Sequence, residues 1–251
     1  MINLLRILMF TFALVVINVK FLVAQKVKDI ISREQSKLYA INQFKQTINE
    51  NALIYSGHEF VENVSLESMN QLIIGTPFFL VDSLVNGVIN YDEIEYHLPV
   101  KFHIIEQKLI LNHPAYNTYI ELYNERIRQF SIGQHFFYKT PLELSNLLKL
   151  DQVYAERLID GKLQLWVMHD KKLKPTKKAE DQTLAYIIYD QYAVFKNGKW
   201  SKIKSKDDIL DICFDKKNKV KEYINNRGQN FKTNFENSVI EVLKYYNSIT
   251  D

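Results

Sequence analysis

Ile94-Glu95-Tyr96-His97-Leu98-Pro99-Val100-Lys101-Phe102-His103-Ile104 sets an apolar side chain at every second position, alternating with Glu95, His97, Pro99, Lys101 and His103. A period of two over this length describes a strand with one buried and one solvated face. Pro99 has no backbone donor, which predicts an edge position or a neighbouring bulge. The surrounding sequence repeats the pattern in shorter pieces, at residues 109–111, 118–123, 127–132 and 135–139. Strands so short and so closely spaced predict an antiparallel meander.

Further along, Asp160-Gly161 separates VYAERLI from KLQLWVM, and Asn197-Gly198 separates YAVFK from KWSKIK. Both dipeptides tolerate positive φ and predict two-residue hairpin turns. The charged stretch KKLKPTKKAEDQ, residues 171–182, reads as a solvated loop between hairpins, and residues 142–150 as one or two helical turns. After Ser205 the period becomes helical. Ser205 with Asp208, and Thr233 with Glu236, have capping-box spacing. Asp215 is placed to cap a helix through Val220, Tyr223 and Ile224, and Gly228 to end it. Val239, Ile240, Val242, Leu243 and Tyr246 form an apolar face that must pack on something. The expected fold class is α+β, mainly β. It is an antiparallel meander of hairpins, as a sheet or partly open barrel, followed by a small C-terminal helical segment.

The opposite end has different grammar. Arg6 precedes an apolar run at 7–17, then Asn18 and Lys20, then Phe21-Leu22-Val23-Ala24-Gln25. This is the order of a signal peptide, and the run is shorter than the roughly 20 apolar residues of a bilayer helix. The expected organisation is a signal peptide at 1–24, a lead-in at 25–51 that is either helical or loose, a β-rich domain at 52–204, and C-terminal helices at 205–251 packing on the sheet. Leu38, Ile41 and Phe44 carry the helical reading of the lead-in. The expected location is periplasmic or secreted after cleavage near Ala24, with transient membrane association through the leader. The alternative is an inner-membrane anchor formed by residues 4–24.

With 251 residues, 47% of them hydrophobic, the chain can bury a substantial core. Without Arg6 and Lys20 of the leader, the formal net charge of +3 falls to +1. That balance argues against a nucleic-acid partner, which needs a concentrated basic face. Cys213 is the single cysteine. It therefore forms no internal disulfide, no disulfide-linked partner is expected, and its apolar neighbours Ile209, Leu210, Ile212 and Phe214 make it a buried small hydrophobe.

Chemistry-bearing clusters are sparse. His97 and His103 share a strand face but lie about 20 Å apart at ~3.3 Å per residue. Neither they nor His58, His113, His135 and His169 show the close spacing of a zinc site. Glu93 and Glu95 share a face, as do Tyr119 and Glu121, which suits a solvated sheet surface. There is no nucleophile elbow, P-loop or dinucleotide glycine pattern. The reading assigns no catalytic, cofactor-binding or metal residue, and no cofactor.

Several stretches together resemble a family of exported proteins of unassigned activity common in bacteria of the Bacteroidetes group. They are the segment Leu53-Ile54-Tyr55-Ser56-Gly57-His58-Glu59-Phe60; Thr76-Pro77-Phe78-Phe79 with Asp82 and Gly87; the Tyr154 to Trp166 hairpin; Ile203-Lys204-Ser205-Lys206; and Tyr245-Tyr246-Asn247-Ser248. Ala155 and Glu156 depart from that family's more aromatic, glycine-led hairpin start. The resemblance implies an exported, β-rich protein with a helical tail and brings no catalytic residue. The functional expectation is a non-enzymatic binding or structural module of the cell envelope, its sheet taking an envelope protein, a glycan or an apolar ligand. The alternative is a hydrolase of envelope or imported polymers using Glu59, Glu93, Glu95 or Glu121.

Overall fold

The computed structural model describes residues 32–33, 35–37, 51–62, 72–176 and 183–250, in two units, 1–53 and 54–251. In the first unit residues 32–33 and 35–37 are helical, and Ser36 Oγ donates to the Ser32 carbonyl at 2.8 Å. The leader, the cleavage position and the lead-in residues Leu38, Ile41 and Phe44 lie outside the described residues. A helical turn, α1 (Asn51–Ile54), ends at buried Ile54.

Fourteen strands are described: β1 (His58–Glu59), β2 (Ile73–Ile74), β3 (Val85–Tyr91), β4 (Ile94–His103), β5 (Lys108–His113), β6 (Thr118–Glu121), β7 (Ile127–Ile132), β8 (His135–Lys139), β9 (Tyr154–Ile159), β10 (Leu163–Met168), β11 (Lys171–Pro175), β12 (Leu184–Ile188), β13 (Gln191–Lys196) and β14 (Lys199–Ile203). Eleven make one antiparallel sheet in the order β1-β6-β5-β4-β3-β7-β8-β9-β10-β13-β14. The mainly β class and the hairpin meander are therefore as expected, and the sheet stays open.

At its centre β3 and β4 are joined by a two-residue turn with positive φ at both Asp92 (49°) and Glu93 (65°). Pro99 sits inside a central strand, yet its reading as an edge residue holds locally. β5 pairs only with the segment from Val100 to His103, so the Pro99 half of β4 has β3 as its sole partner. The ladder alternates from the Tyr91–Ile94 pair, making Asn86–Pro99 a non-hydrogen-bonded pair that loses nothing to the missing donor.

The sheet rolls. Phe102 on β4 and Tyr154 on β9 are four strand steps apart, about 19 Å on a flat sheet. Their rings nevertheless lie 5.9 Å apart. The concave side encloses Ile89, Tyr91, Tyr96, Phe102, Leu109, Ile120, Phe130, Phe137 and Tyr154. Gln107 and Asn124 close the roll: Gln107 Oε1 accepts from Tyr154 N at 3.1 Å, and Asn124 Nδ2 donates to Gln107 O at 2.9 Å.

Four more helices are described: α2 (Leu142–Leu148), α3 (Lys206–Ile212), α4 (Lys217–Arg227) and α5 (Phe235–Ser248). The last three cover β9, β10, β13 and β14 through a second apolar cluster that includes Leu163, Leu165, Val194, Cys213, Val239 and Leu243. Leu144 and Leu148 of α2 pack with Ala155, Trp166 and Ala193 in a third. The Ser205–Asp208 capping box forms, and Gly228 ends α4 at φ 60°. Two cap readings are corrected. Asn234, not Thr233, stands at the start of α5, and Asp215 lies in a 3-10 turn where Lys196 and Tyr246 occupy its carboxylate.

The turns differ as well. Asn197 and Gly198 make the expected two-residue hairpin, with φ of 50° and 77°. Asp160-Gly161 does not: the loop runs to Lys162 and the β9–β10 register shifts beside it. Asn247 of α5 docks there, accepting from Leu163 N at 3.1 Å and donating to Leu163 O at 2.9 Å. The charged stretch is also not wholly loop. Lys171–Pro175 is strand β11, which joins β12 and β2 in a second sheet ordered β11-β12-β2, while residues 177–182 lie outside the described residues.

Candidate functional site

The four acids of the hydrolase reading are not brought together. Glu59 pairs with Ile120 and His58 with Glu121, so Glu59 and Glu121 alternate onto opposite faces of the β1–β6 edge. Glu59 accepts from Thr118 Oγ1 at 3.0 Å, and Glu121 meets Lys108 Nζ at 2.5 Å. Glu93 forms the β3–β4 turn, and Glu95 pairs with His97 at 2.9 Å in solvent. His103 is buried and accepts at Nδ1 from Glu106 N; burial holds its pKa below the ordinary imidazole value. Cys213 is buried in the second cluster, where burial pushes the thiol up to about 12.

Two constellations emerge that spacing along the chain conceals. The first is a buried chain of titratable groups. Glu156 on β9 is 3% exposed and accepts from His135 Nδ1 at 2.7 Å and from His169 Nε2 at 2.8 Å. The other ring nitrogen of His169 donates to Asp190 at 2.9 Å. Register explains the meeting: Glu156 lies opposite Phe137 of β8 and Val167 of β10, so His135 and His169 each lie two residues along from its partners. Phe79 packs its ring 4.9 Å from His135 and 5.0 Å from His169. Burial pulls the His169 pKa down, but hydrogen bonds to Asp190 and Glu156, with their charge, outweigh it and lift it to about 9. His169 is thus an imidazolium held between two carboxylates, spending both donors and leaving none for a reacting group. The chain is built to hold charge in place.

The second constellation is a grid on the convex face. Cross-strand register aligns His97, Val88, Ser131 and Phe136 in one row, and Glu95, Asn90, Gln129 and Tyr138 in the next. Two shallow depressions, about 270 and 390 Å³, share Val88 and Ser131 and so run together across it. At one side stands Phe136, 52% exposed, beside Tyr138, whose hydroxyl accepts from Arg157 Nη2 at 3.0 Å. The Tyr138 ring is fixed between the Arg157 guanidinium at 4.4 Å and Trp166 at 5.6 Å. Toward the middle lie two amides and a hydroxyl, and at the far side Glu95 and His97. Each row crosses four strands, about 14 Å.

The sequence reading singled out Glu95 and His97 but not the grid, because Asn90, Gln129, Ser131 and Phe136 come from three other strands. Only the strand order, which inserts β3 between β4 and β7, sets them side by side. Comparison with known proteins adds no relative to this geometry: no family model, no curated protein and no solved structure matches the chain.

Proposed function

We propose that the chain is a non-enzymatic binding module of the bacterial cell envelope, and that its convex sheet face takes a glycan. The grid carries this reading. Sugar rings present an apolar face that stacks on aromatic rings and hydroxyls that pair with amides and carboxylates. Phe136 and Tyr138 supply the first, and Asn90, Gln129, Ser131 and Glu95 the second, on a rigid sheet and within two adjacent rows. Export rests on the order of charge, apolar run and small residue in residues 1–25. The hydrolase alternative gains nothing from the placement of its four acids.

Isothermal titration with soluble neutral and N-acetylated oligosaccharides tests the reading. Phe136→Ala is expected to weaken the best ligand roughly tenfold, about 1.4 kcal/mol, with the fold unchanged because the ring is half exposed. Equal affinity in wild type and variant, or turnover of any oligosaccharide in the panel, would sink it.

A further inference from the structure

We propose that one face of the small β11-β12-β2 sheet is a docking surface for a lipid bilayer bearing anionic headgroups. Register decides which side chains share that face. Lys172 pairs with Ile187, Lys174 with Ala185, and Ala185 with Ile74. The two-residue period adds Leu72 and Tyr189 to the same side. The result is an apolar strip of Leu72, Ile74, Ala185, Ile187 and Tyr189 edged by two lysines.

Leu72 is 68% exposed, Ile74 54% and Ile187 42%, three neighbouring aliphatic side chains open to solvent on one face. Lys172 and Lys174 lie with their ammonium groups 5.4 and 4.8 Å from the Tyr189 ring. Lys172 also meets Asp170 at 3.4 Å, while Lys174 has no carboxylate partner among the described residues. The opposite face also exposes an aliphatic residue, Ile188 at 62%, but its lysine is already engaged. Lys171 points there and donates to the Thr76 and Phe78 carbonyls at 3.1 and 2.6 Å, tying the small sheet to the loop before β3.

Charge selects the occupant. An apolar strip with a tyrosine and a lysine rim matches the bilayer interface, where side chains bury in the acyl boundary while ammonium groups meet phosphates. Another protein copy would bring the same lysines against its own, a like-charge contact that such an interface disfavours. This inference is independent of the glycan reading, which concerns the other sheet.

The test is a polarity-sensitive fluorophore on Ile74→Cys in the full chain, where buried Cys213 is shielded from labelling. Adding phosphatidylcholine vesicles containing phosphatidylglycerol is expected to shift the emission to the blue; vesicles of phosphatidylcholine alone are not. Lys172→Glu with Lys174→Glu is expected to weaken the response roughly 25-fold, at about fivefold for each lysine lost. The same fluorophore on Phe136→Cys reports the convex face and is expected to stay unshifted. No shift at position 74 overturns the proposal, as does a shift insensitive to headgroup charge or equal at both positions. A shift without vesicles that grows with protein concentration also overturns it, in favour of a second copy.

Discussion

Glu156 is the residue on which most depends. It is 3% exposed, and two imidazoles supply its carboxyl group with the hydrogen bonds that burial denies it from water. His169 responds in kind: its folded pKa of about 9 lies above the ordinary 6.5, so folding favours its protonated form. The stability this contributes is fully present below pH 6.5 and is lost as pH rises through about 9, a loss on the order of 3 kcal/mol. Thermal midpoints measured from pH 6 to pH 9.5 are expected to fall in wild type. His169→Gln, less stable at pH 6, is expected to stay nearly flat over the same range. Parallel slopes in the two proteins would show that the imidazolium is not the source. None of this was legible in the sequence, where His135 and His169 stand far apart and Glu156 registers only as a departure from a resembling family. A carboxylate in the apolar phase of a strand is the available signal, and it points to a buried partner without naming it.

At the scale of elements, local chemistry was legible wherever the signal was local. The alternation at residues 94–100, the Asn197-Gly198 turn and the Ser205–Asp208 box form as read, because each depends on neighbours within a few positions, whereas Lys101 and His103, expected on the solvated face, are buried. The β3–β4 turn was invisible: Asp92-Glu93 has no glycine, and tertiary context holds both residues at positive φ, Asp92 with its carboxylate on Arg126. β11 was hidden in the same way, since its lysines mask a strand whose pairing comes from β12. The β9–β10 loop failed as a two-residue hairpin because its partner is distant. Asn247 supplies both hydrogen bonds to Leu163, and a Cβ on Gly161 would come within 2.8 Å of its amide nitrogen. This contact should outweigh the helix cap. Asn247→Ala leaves a donor and an acceptor of the Leu163 backbone unpaired, about 2 kcal/mol, against about 1 kcal/mol for Ser205→Ala, which opens an exposed terminus to water. Urea midpoints at constant slope measure the two costs. A Ser205→Ala penalty equal to or larger than that of Asn247→Ala would mean that α5 does not pin the loop.

Across the whole molecule, the question is whether the rolled half and the helix-covered half of the sheet fold as one. The two halves share strands rather than a linker. Within β9, Tyr154 belongs to the first apolar cluster and Ile159 to the second, five residues along. Between them stands Glu156, whose partners reach back to β8 and forward past β10. Unfolding the helix-covered half would strip His169, and the Asp190 that holds it, from this group and leave a buried polar side chain with half its partners. Unfolding the rolled half would open the edge-to-face contact of Phe79 with Phe137 and the packing of Phe79 on His169, the imidazole that holds the same group. Either partial state keeps the cost of the network without its compensation, so residues 54–251 are expected to unfold in a single cooperative transition. The two tryptophans make this measurable, because Trp166 and Trp200 lie 5.8 Å apart in the third cluster, on β10 and β14, with Tyr138 of β8 the contact that reaches the rolled half. Far-ultraviolet dichroism reports strands throughout. Coincident urea transitions by the two probes, with equal calorimetric and van't Hoff enthalpies, are the expected result. A tryptophan transition displaced from the dichroism would show that the continuous sheet does not couple its halves and that the Glu156 chain belongs to one of them.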